Sequence, residues 1–295
     1  MKLSIVTTMY WSEAYLEEFY QRCKIEAQKI TSDYEIILVN DGSPDLSLQK
    51  AIELSERDKQ VIVVDLSRNF GHHKAIMTGL SYTSGDLVFL IDCDLEEEPE
   101  LLPLFYSSLT EEDCDVVFGV QKSRKGSFFE KCSGEVFYLF INYLSEIDIP
   151  RNVITARLMK RRYVDSLLQF REQELFLAGI WYITGFNQIA VEVDKHSTSK
   201  TTYKLKNKVA IAINAITSFS NKPLLLIFNL GMIMTLISSI YILYLIVRKV
   251  FYGQSLIGWT SLIVSVWFIG GLIISFIGII GIYISKIFIE TKNRP

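Results

Sequence analysis

Short apolar runs alternate with stretches of helical spacing through residues 1 to about 120. The runs at residues 3–8, 35–40, 61–66 and 87–91 have the length and β-branched content of strands covered on both faces. Between them, residues 13–30, 47–58 and 72–83 place apolar side chains at helical intervals. The segment Asp41-Gly42-Ser43-Pro44 closes the second strand, and Asn69-Phe70-Gly71 precedes the third helix. Residues 115–119 read as a further strand, residues 126–180 as mostly helical and less regular, and residues 186–193 as an edge strand. Strands alternating with helices predict an α/β domain: a mainly parallel, Rossmann-like sheet with helices on both faces. Ligands of such sheets sit beyond the carboxyl ends of the strands.

The pattern changes after residue 203. From Lys204 to Phe219, Leu205, Val209, Ala212, Ile213, Ile216 and Phe219 recur at three and four, opposite Lys204, Lys206, Lys208 and Asn214. This predicts an amphipathic helix over residues 204–222, lying in a lipid headgroup plane. Pro223 ends it. Residues 224–247 and 259–285 then carry no charge at all, and each run exceeds the roughly 20 residues that a bilayer-spanning helix needs. The short loop between them makes the pair a hairpin, with both flanks on one side. Seven basic residues flank it (Lys204, Lys206, Lys208, Lys222, Lys286, Lys292, Arg294) against Arg248 and Lys249 in the loop. That bias places both flanks, and a catalytic domain over residues 1–203, in the cytoplasm, with residues 223–295 forming a multi-pass anchor in the inner (cytoplasmic) membrane.

Composition adds exclusions. A net charge of −3 gives no support for nucleic-acid binding. Cys23, Cys93, Cys114 and Cys132 lack metal-site or disulfide spacing, which fits a reducing compartment. The amino terminus enters a strand directly, so no signal peptide is expected.

The chemistry concentrates at strand ends. Asp41, Asn69 and Asp92 each lie just past one. Asp92 and Asp94 follow the apolar run at residues 87–91, and residues two apart on a strand share a face about 7 Å apart. Two hard oxygen donors on one face suit Mg²⁺ or Mn²⁺, with substrate phosphates filling the shell; a solvated acidic turn is the plainer alternative, since Glu96, Glu97, Glu98 and Glu100 follow. Lys122, Arg124 and Lys125 form a basic loop suited to a diphosphate. His72 and His73 begin a helix, where an anion contact or simple capping would fit, and Lys74 in the same turn carries the charge. Trp181, Tyr182 and Phe186 read as core or as a stacking surface.

Several stretches together resemble a known family: Asn40-Asp41-Gly42-Ser43, Leu66-Ser67-Arg68-Asn69-Phe70-Gly71-His72-His73, Ile91-Asp92-Cys93-Asp94-Leu95, Arg157-Leu158-Met159, and Thr217-Ser218-Phe219-Ser220-Asn221-Lys222-Pro223-Leu224. The chain is similar to family 2 glycosyltransferases of the polyprenyl-phosphate type. The resemblance implies a glycosyltransferase A type fold, a nucleotide-sugar donor, a divalent metal (Mg²⁺ or Mn²⁺), and an undecaprenyl-phosphate acceptor at the bilayer. It implies that Asp41 contacts the nucleotide base and that Thr8 and Glu13 lie in the loop wrapping the nucleotide; Asn69 by its strand-end position and Lys74 by its charge at the helix start are expected in the same donor set. Asp92 and Asp94 match the metal and diphosphate motif, and Arg157 is expected near the phosphates with Lys122, Arg124 and Lys125. Asp92, Asp94 and Arg157 are thus the catalytic expectation.

The chain departs from the family at Thr8-Met9-Tyr10-Trp11-Ser12-Glu13, at Asp94-Leu95-Glu96-Glu97-Glu98-Pro99-Glu100, at Ala156, and at Lys195-His196-Ser197-Thr198-Ser199-Lys200, where a usual arginine is missing. An acceptor phosphate is already an anion, so transfer to it needs no general base and proceeds with inversion. Cell-surface glycan or O-antigen modification is the implied context, with a homo-oligomer packed through Gly270, Gly271, Gly278 and Gly281 and a separate flippase for the product. A processive polysaccharide synthase and a non-catalytic nucleotide-sugar-binding membrane protein are the alternatives; the first usually carries Gln-x-x-Arg-Trp, which is not found here.

Overall fold

The computed structural model describes residues 1–121, 152–172, 175–193, 222–252 and 258–291. The expected amphipathic segment (204–221 of it) and the stretch Lys195-His196-Ser197-Thr198-Ser199-Lys200 lie outside the described residues. The chain divides into two compact units, one holding a sheet and its helices, the other two long apolar helices.

The sheet has seven strands: β1 (Leu3–Met9), β2 (Tyr34–Asn40), β3 (Val61–Asp65), β4 (Leu87–Leu90), β5 (Val116–Gln121), β6 (Val153–Lys160) and β7 (Gln188–Val193). Its helices are α1 (Leu16–Gln28), α2 (Ser47–Arg57), α3 (His72–Ser81), α4 (Leu101–Glu111), α5 (Arg161–Leu167) and α6 (Leu177–Ile183). The strand order is β3-β2-β1-β4-β6-β5-β7. Only β6 runs against its neighbours, so the sheet is mainly parallel, as the strand and helix pattern predicts. β7 is the expected edge strand.

β6 is a correction. The reading of residues 126–180 as mostly helical fails at Val153–Lys160, which is a strand in the sheet interior. Three β-branched residues open it, but an arginine holds a core position, and that breaks the apolar signature of a covered strand.

Register separates the two faces. Ile5, Phe89, Ala156, Leu158 and Val117 pack with α1, α2 and α4 in the main core. The opposite face carries Val6, Leu90, Arg157 and Phe118, aligned across β1, β4, β6 and β5. α3 lies on that face so closely that a Cβ on Gly79 would fall 2.6 Å from Val6 Cγ1 and 2.8 Å from Val39 Cγ2.

In the second unit, α7 (Lys222–Tyr252) and α8 (Trp259–Thr291) are helices near the two predicted runs. Their apolar side chains point outward; Leu236 is 64% and Ile274 72% exposed. Among the described residues one stretch, Phe268–Thr291, is long and apolar enough to cross a bilayer, with a mean hydropathy of 2.3.

Candidate active site

Side chains of one face run to the end of β1 and continue past the ends of β2 and β4. Thr8 follows Val6 by two, Asp41 follows Val39 by two, and Asp92 follows Leu90 by two, so strand alternation sends all three toward α3. The side-chain contacts agree. Thr8 Oγ1 lies 3.0 Å from His72 Nδ1, and His72 Nε2 lies 3.6 Å from Asp92 Oδ1. The first residue of α3 therefore bridges two strand ends.

Asp41 sets where α3 starts. It is buried, and its two carboxylate oxygens accept the backbone N–H groups of Phe70 (2.7 Å) and Gly71 (3.1 Å). Gly42 lets the loops meet: at φ 62° it adopts a conformation costly for other residues, and a Cβ there would lie 2.5 Å from Asn69 N. Asn69 itself is exposed beside this crossing. Lys74 lines a recess of about 280 Å³ with Phe70, Gly71, His72, His73 and Leu175. His73 Nδ1 is 2.9 Å from Leu175 O, and burial lowers the pKa of its ring.

Beyond β4 the chain alternates between core and edge. Cys93 turns into the core, its thiol donating to Thr8 O (3.0 Å) and Ser12 Oγ (3.1 Å), and burial pushes it up to about 12, so it stays a thiol. Asp92 and Asp94 on either side remain half-buried. Asp94 Oδ1 accepts Glu96 N at 3.0 Å, and Leu95 has a φ of 58° in the tight turn between them. Glu97 ends this excursion. It is 1% exposed, and its oxygens accept the N–H groups of Thr155 (3.1 Å) and Ala156 (2.8 Å). β4 stops at Leu90 opposite Arg157 and the β5 register shifts beside the same stretch of β6, so the side chain of Glu97 takes up two β6 amides that the ladders leave open.

Glu13 joins a neighbouring loop network. Its N–H donates to Asp45 Oδ2 (3.1 Å), its carboxylate accepts Leu46 N (3.4 Å), and Lys50 Nζ lies 3.6 Å away. Next to it, Tyr10 and Trp11 are strongly exposed, and Trp11 N donates to Ser43 Oγ at 2.8 Å.

Arg157 shares the face of the acids but not their contacts. It is 1% exposed, with its guanidinium 3.0 Å from the ring centre of Trp181. Its Nε and Nη2 donate to the carbonyls of Thr155 (3.2 Å) and Ile154 (3.4 Å). Burial pulls it down to about 9, against the opposing influence of Tyr163 and Glu97, so it is a cation at neutral pH. Thr8, Asp41 and Asp92 thus converge on the start of α3, Glu13 belongs to the adjoining loop, and Arg157 sits one row deeper on β6. Lys122, Arg124 and Lys125 lie outside the described residues. Sequence reasoning missed the His72 bridge and the role of Glu97, which had no signal beyond membership of an acidic run.

Among the described residues no group of three or more His, Cys, Asp or Glu is placed to hold a metal. Asp92 and Asp94 are hard oxygen donors, and such a pair fits Mg²⁺ or Mn²⁺ only with phosphate oxygens and water completing the shell.

The model of the glycosyl transferase family 2 matches residues 4–168. A putative glycosyltransferase of Mycobacterium tuberculosis (strain CDC 1551 / Oshkosh) is 51% identical over 295 residues, covering 100% of this chain and 86% of its own. The uncharacterized glycosyltransferase YkcC of Bacillus subtilis (strain 168) is 36% identical, covering 100% of this chain and 92% of its own. A bactoprenol glucosyl transferase of Shigella phage SfX is 31% identical, covering 100% of this chain and 96% of its own.

Proposed function

The chain belongs to glycosyl transferase family 2 and is a glycosyltransferase, and from that premise we propose that it transfers a sugar from a nucleotide-sugar donor to undecaprenyl phosphate at the cytoplasmic face of the membrane. One observation carries this reading: the likeness to the phage bactoprenol glucosyl transferase extends over 100% of this chain, apolar helices included. The hairpin of α7 and α8 then anchors the enzyme where a lipid phosphate meets a soluble donor. Both flanks of the hairpin face the cytoplasm, by the charge bias.

The acceptor phosphate oxygen attacks the anomeric carbon. The bond from that carbon to the diphosphate breaks, and its electron pair leaves with the nucleoside diphosphate. No proton has to leave the acceptor, so no general base is required. Direct in-line attack inverts the anomeric centre. The protein's task is to bring two anions together and to balance the charge on the departing one.

Asp92 and Asp94 would hold Mg²⁺ or Mn²⁺, which when bound supplies positive charge to the leaving diphosphate. His72 fixes Asp92 against Thr8. The α3 amino terminus and Lys74 present positive potential to donor phosphates. Asp41 shapes the loop beside the nucleotide through Phe70 and Gly71. Lys122, Arg124 and Lys125 complete the phosphate set.

The test is transfer by the protein in nanodiscs containing undecaprenyl phosphate, given a panel of labelled nucleotide sugars and Mn²⁺. A lipid bearing a single sugar is expected. A polymer would favour the processive synthase, and donor binding without turnover would favour a non-catalytic protein.

A further inference from the structure

A chain of hydrogen bonds runs through the interior from the start of α2 to the turn that carries the two acids. At one end, Asp45 Oδ1 accepts the Ser43 and Ser47 hydroxyls, both at 2.6 Å, and its Oδ2 accepts Glu13 N at 3.1 Å. At the other end, Cys93 stands between Asp92 and Asp94. Ser12 joins the two. Its N–H donates to Ser47 Oγ at 3.0 Å. Its own Oγ accepts Tyr10 N–H at 3.0 Å and the Cys93 thiol at 3.1 Å. Ser12, Ser47 and Cys93 are 5%, 0% and 4% exposed. Polar side chains in such a place are costly unless they are paired, and here each is paired.

What the pairing secures is the shape of the loop after β1. Each backbone N–H of residues 10–13 is taken by a side chain: Tyr10 by Ser12, Trp11 by Ser43, Ser12 by Ser47 and Glu13 by Asp45. Trp11 is held at a φ of 58°, a left-handed conformation that costs a bulky residue free energy. A strained residue fixed from several directions marks a loop whose geometry matters to function. One side-chain link leads from this loop to the acid-bearing turn, and it passes through Ser12 Oγ and the Cys93 thiol. The same thiol donates to Thr8 O at 3.0 Å, at the end of β1. Burial raises it to about 12, so the proton that makes these bonds stays in place at neutral pH.

We propose that Ser12 is a positioning residue for the transfer: through Cys93 it locks the loop at residues 10–13 to the turn bearing Asp92 and Asp94, so that nucleotide on the one and a divalent cation on the other strengthen each other's binding. This rests on the reading above, in which that loop wraps the nucleotide and the two acids hold the cation. Two ligand-holding segments that keep one geometry are ordered by whichever ligand binds first. The second ligand then meets a site already in shape, and the coupling is reciprocal. Without the link, each segment still binds its own ligand, and the mutual gain is lost.

Equilibrium binding of UDP, GDP, CDP and ADP to the full-length protein in nanodiscs, with and without Mn²⁺, tests it. In the wild type, Mn²⁺ should raise the affinity for the preferred nucleotide by about tenfold or more. Ser12→Ala and Cys93→Ala should each shrink that gain by about fivefold or more, and the double variant should lose no more than either single one. Cys93→Ser, which keeps a donor toward Ser12, should retain the gain. A purely structural role would lower the melting temperature and weaken binding alike with and without Mn²⁺, leaving the gain at its wild-type value. Cys93→Ala removes only a sulfur atom, so it reads the link even where Ser12→Ala folds poorly. A wild-type gain in both alanine variants would overturn the proposal and leave the reaction standing. So would loss of the gain in Cys93→Ser as large as in Cys93→Ala, since the hydrogen bond would then not be the link. A wild-type protein whose nucleotide binding ignores Mn²⁺ would refute the cation's place in the reaction, and this inference with it.

Discussion

Glu97 shows how much a single buried carboxylate does in this site. It lets the chain leave the sheet after Leu90 while the amides of Thr155 and Ala156 stay paired, and it lies close enough to Arg157 to favour its charge. Glu97→Ala strands a buried N–H at Ala156, which costs about 1–3 kcal/mol, and a part-buried one at Thr155. Thermal unfolding should show Glu97→Ala as strongly destabilised, and Glu97→Gln, which keeps one acceptor oxygen, as milder. An unchanged melting temperature in the alanine variant would remove this role. Asp41, Asp92 and Asp94 were legible in the sequence because each interrupts an apolar run at a strand end. Glu97 was not, because neighbouring glutamates look alike until one is buried. His72 was legible only as the start of a helix; its partners Thr8 and Asp92 come from two other strands, and no local spacing encodes them.

At the scale of elements, α3 and the β2–α2 loop position the site. α3 is seated through Gly79, whose missing Cβ leaves room for Val6 and Val39. Gly79→Val should cost about 1–3 kcal/mol by overpacking. It should also displace His72 from Asp92, so urea denaturation with a parallel activity assay should show both losses; a fully stable, fully active variant would contradict this seating. Asp45 ties the Glu13 loop to α2. Burial pushes its carboxyl up, but hydrogen bonds from the Ser43 and Ser47 hydroxyls and the Glu13 and Ser47 amides outweigh this and hold it at about 2, below the usual 3.8. A depressed carboxylate contributes stability that is full above about pH 4 and is lost as the pH falls through 2. The melting temperature of the wild type should therefore fall more steeply between pH 4 and 2 than that of Asp45→Asn. Parallel curves would exclude the contribution. The first four strands were readable because strands covered on both faces give continuous apolar runs. β6 was not, because its core position is filled by Arg157.

For the whole molecule, the two units divide the work: a sheet that gathers polar side chains at its strand ends, and long helices whose apolar side chains face outward. The composition of the helices was plain in the sequence. The proposed membrane anchoring predicts that the protein stays in the membrane pellet through alkaline carbonate extraction; release into the supernatant would contradict it. The central claim is that Asp92 and Asp94 hold the donor's diphosphate through a divalent cation. Electron paramagnetic resonance of Mn²⁺, titrated into the full-length protein with a nucleoside diphosphate present, tests it most directly. The account predicts saturable Mn²⁺ binding in the wild type, with binding and sugar transfer each lost by about 100-fold or more in a folded Asp94→Ala variant. Mn²⁺ binding and turnover at wild-type values in that variant would contradict it.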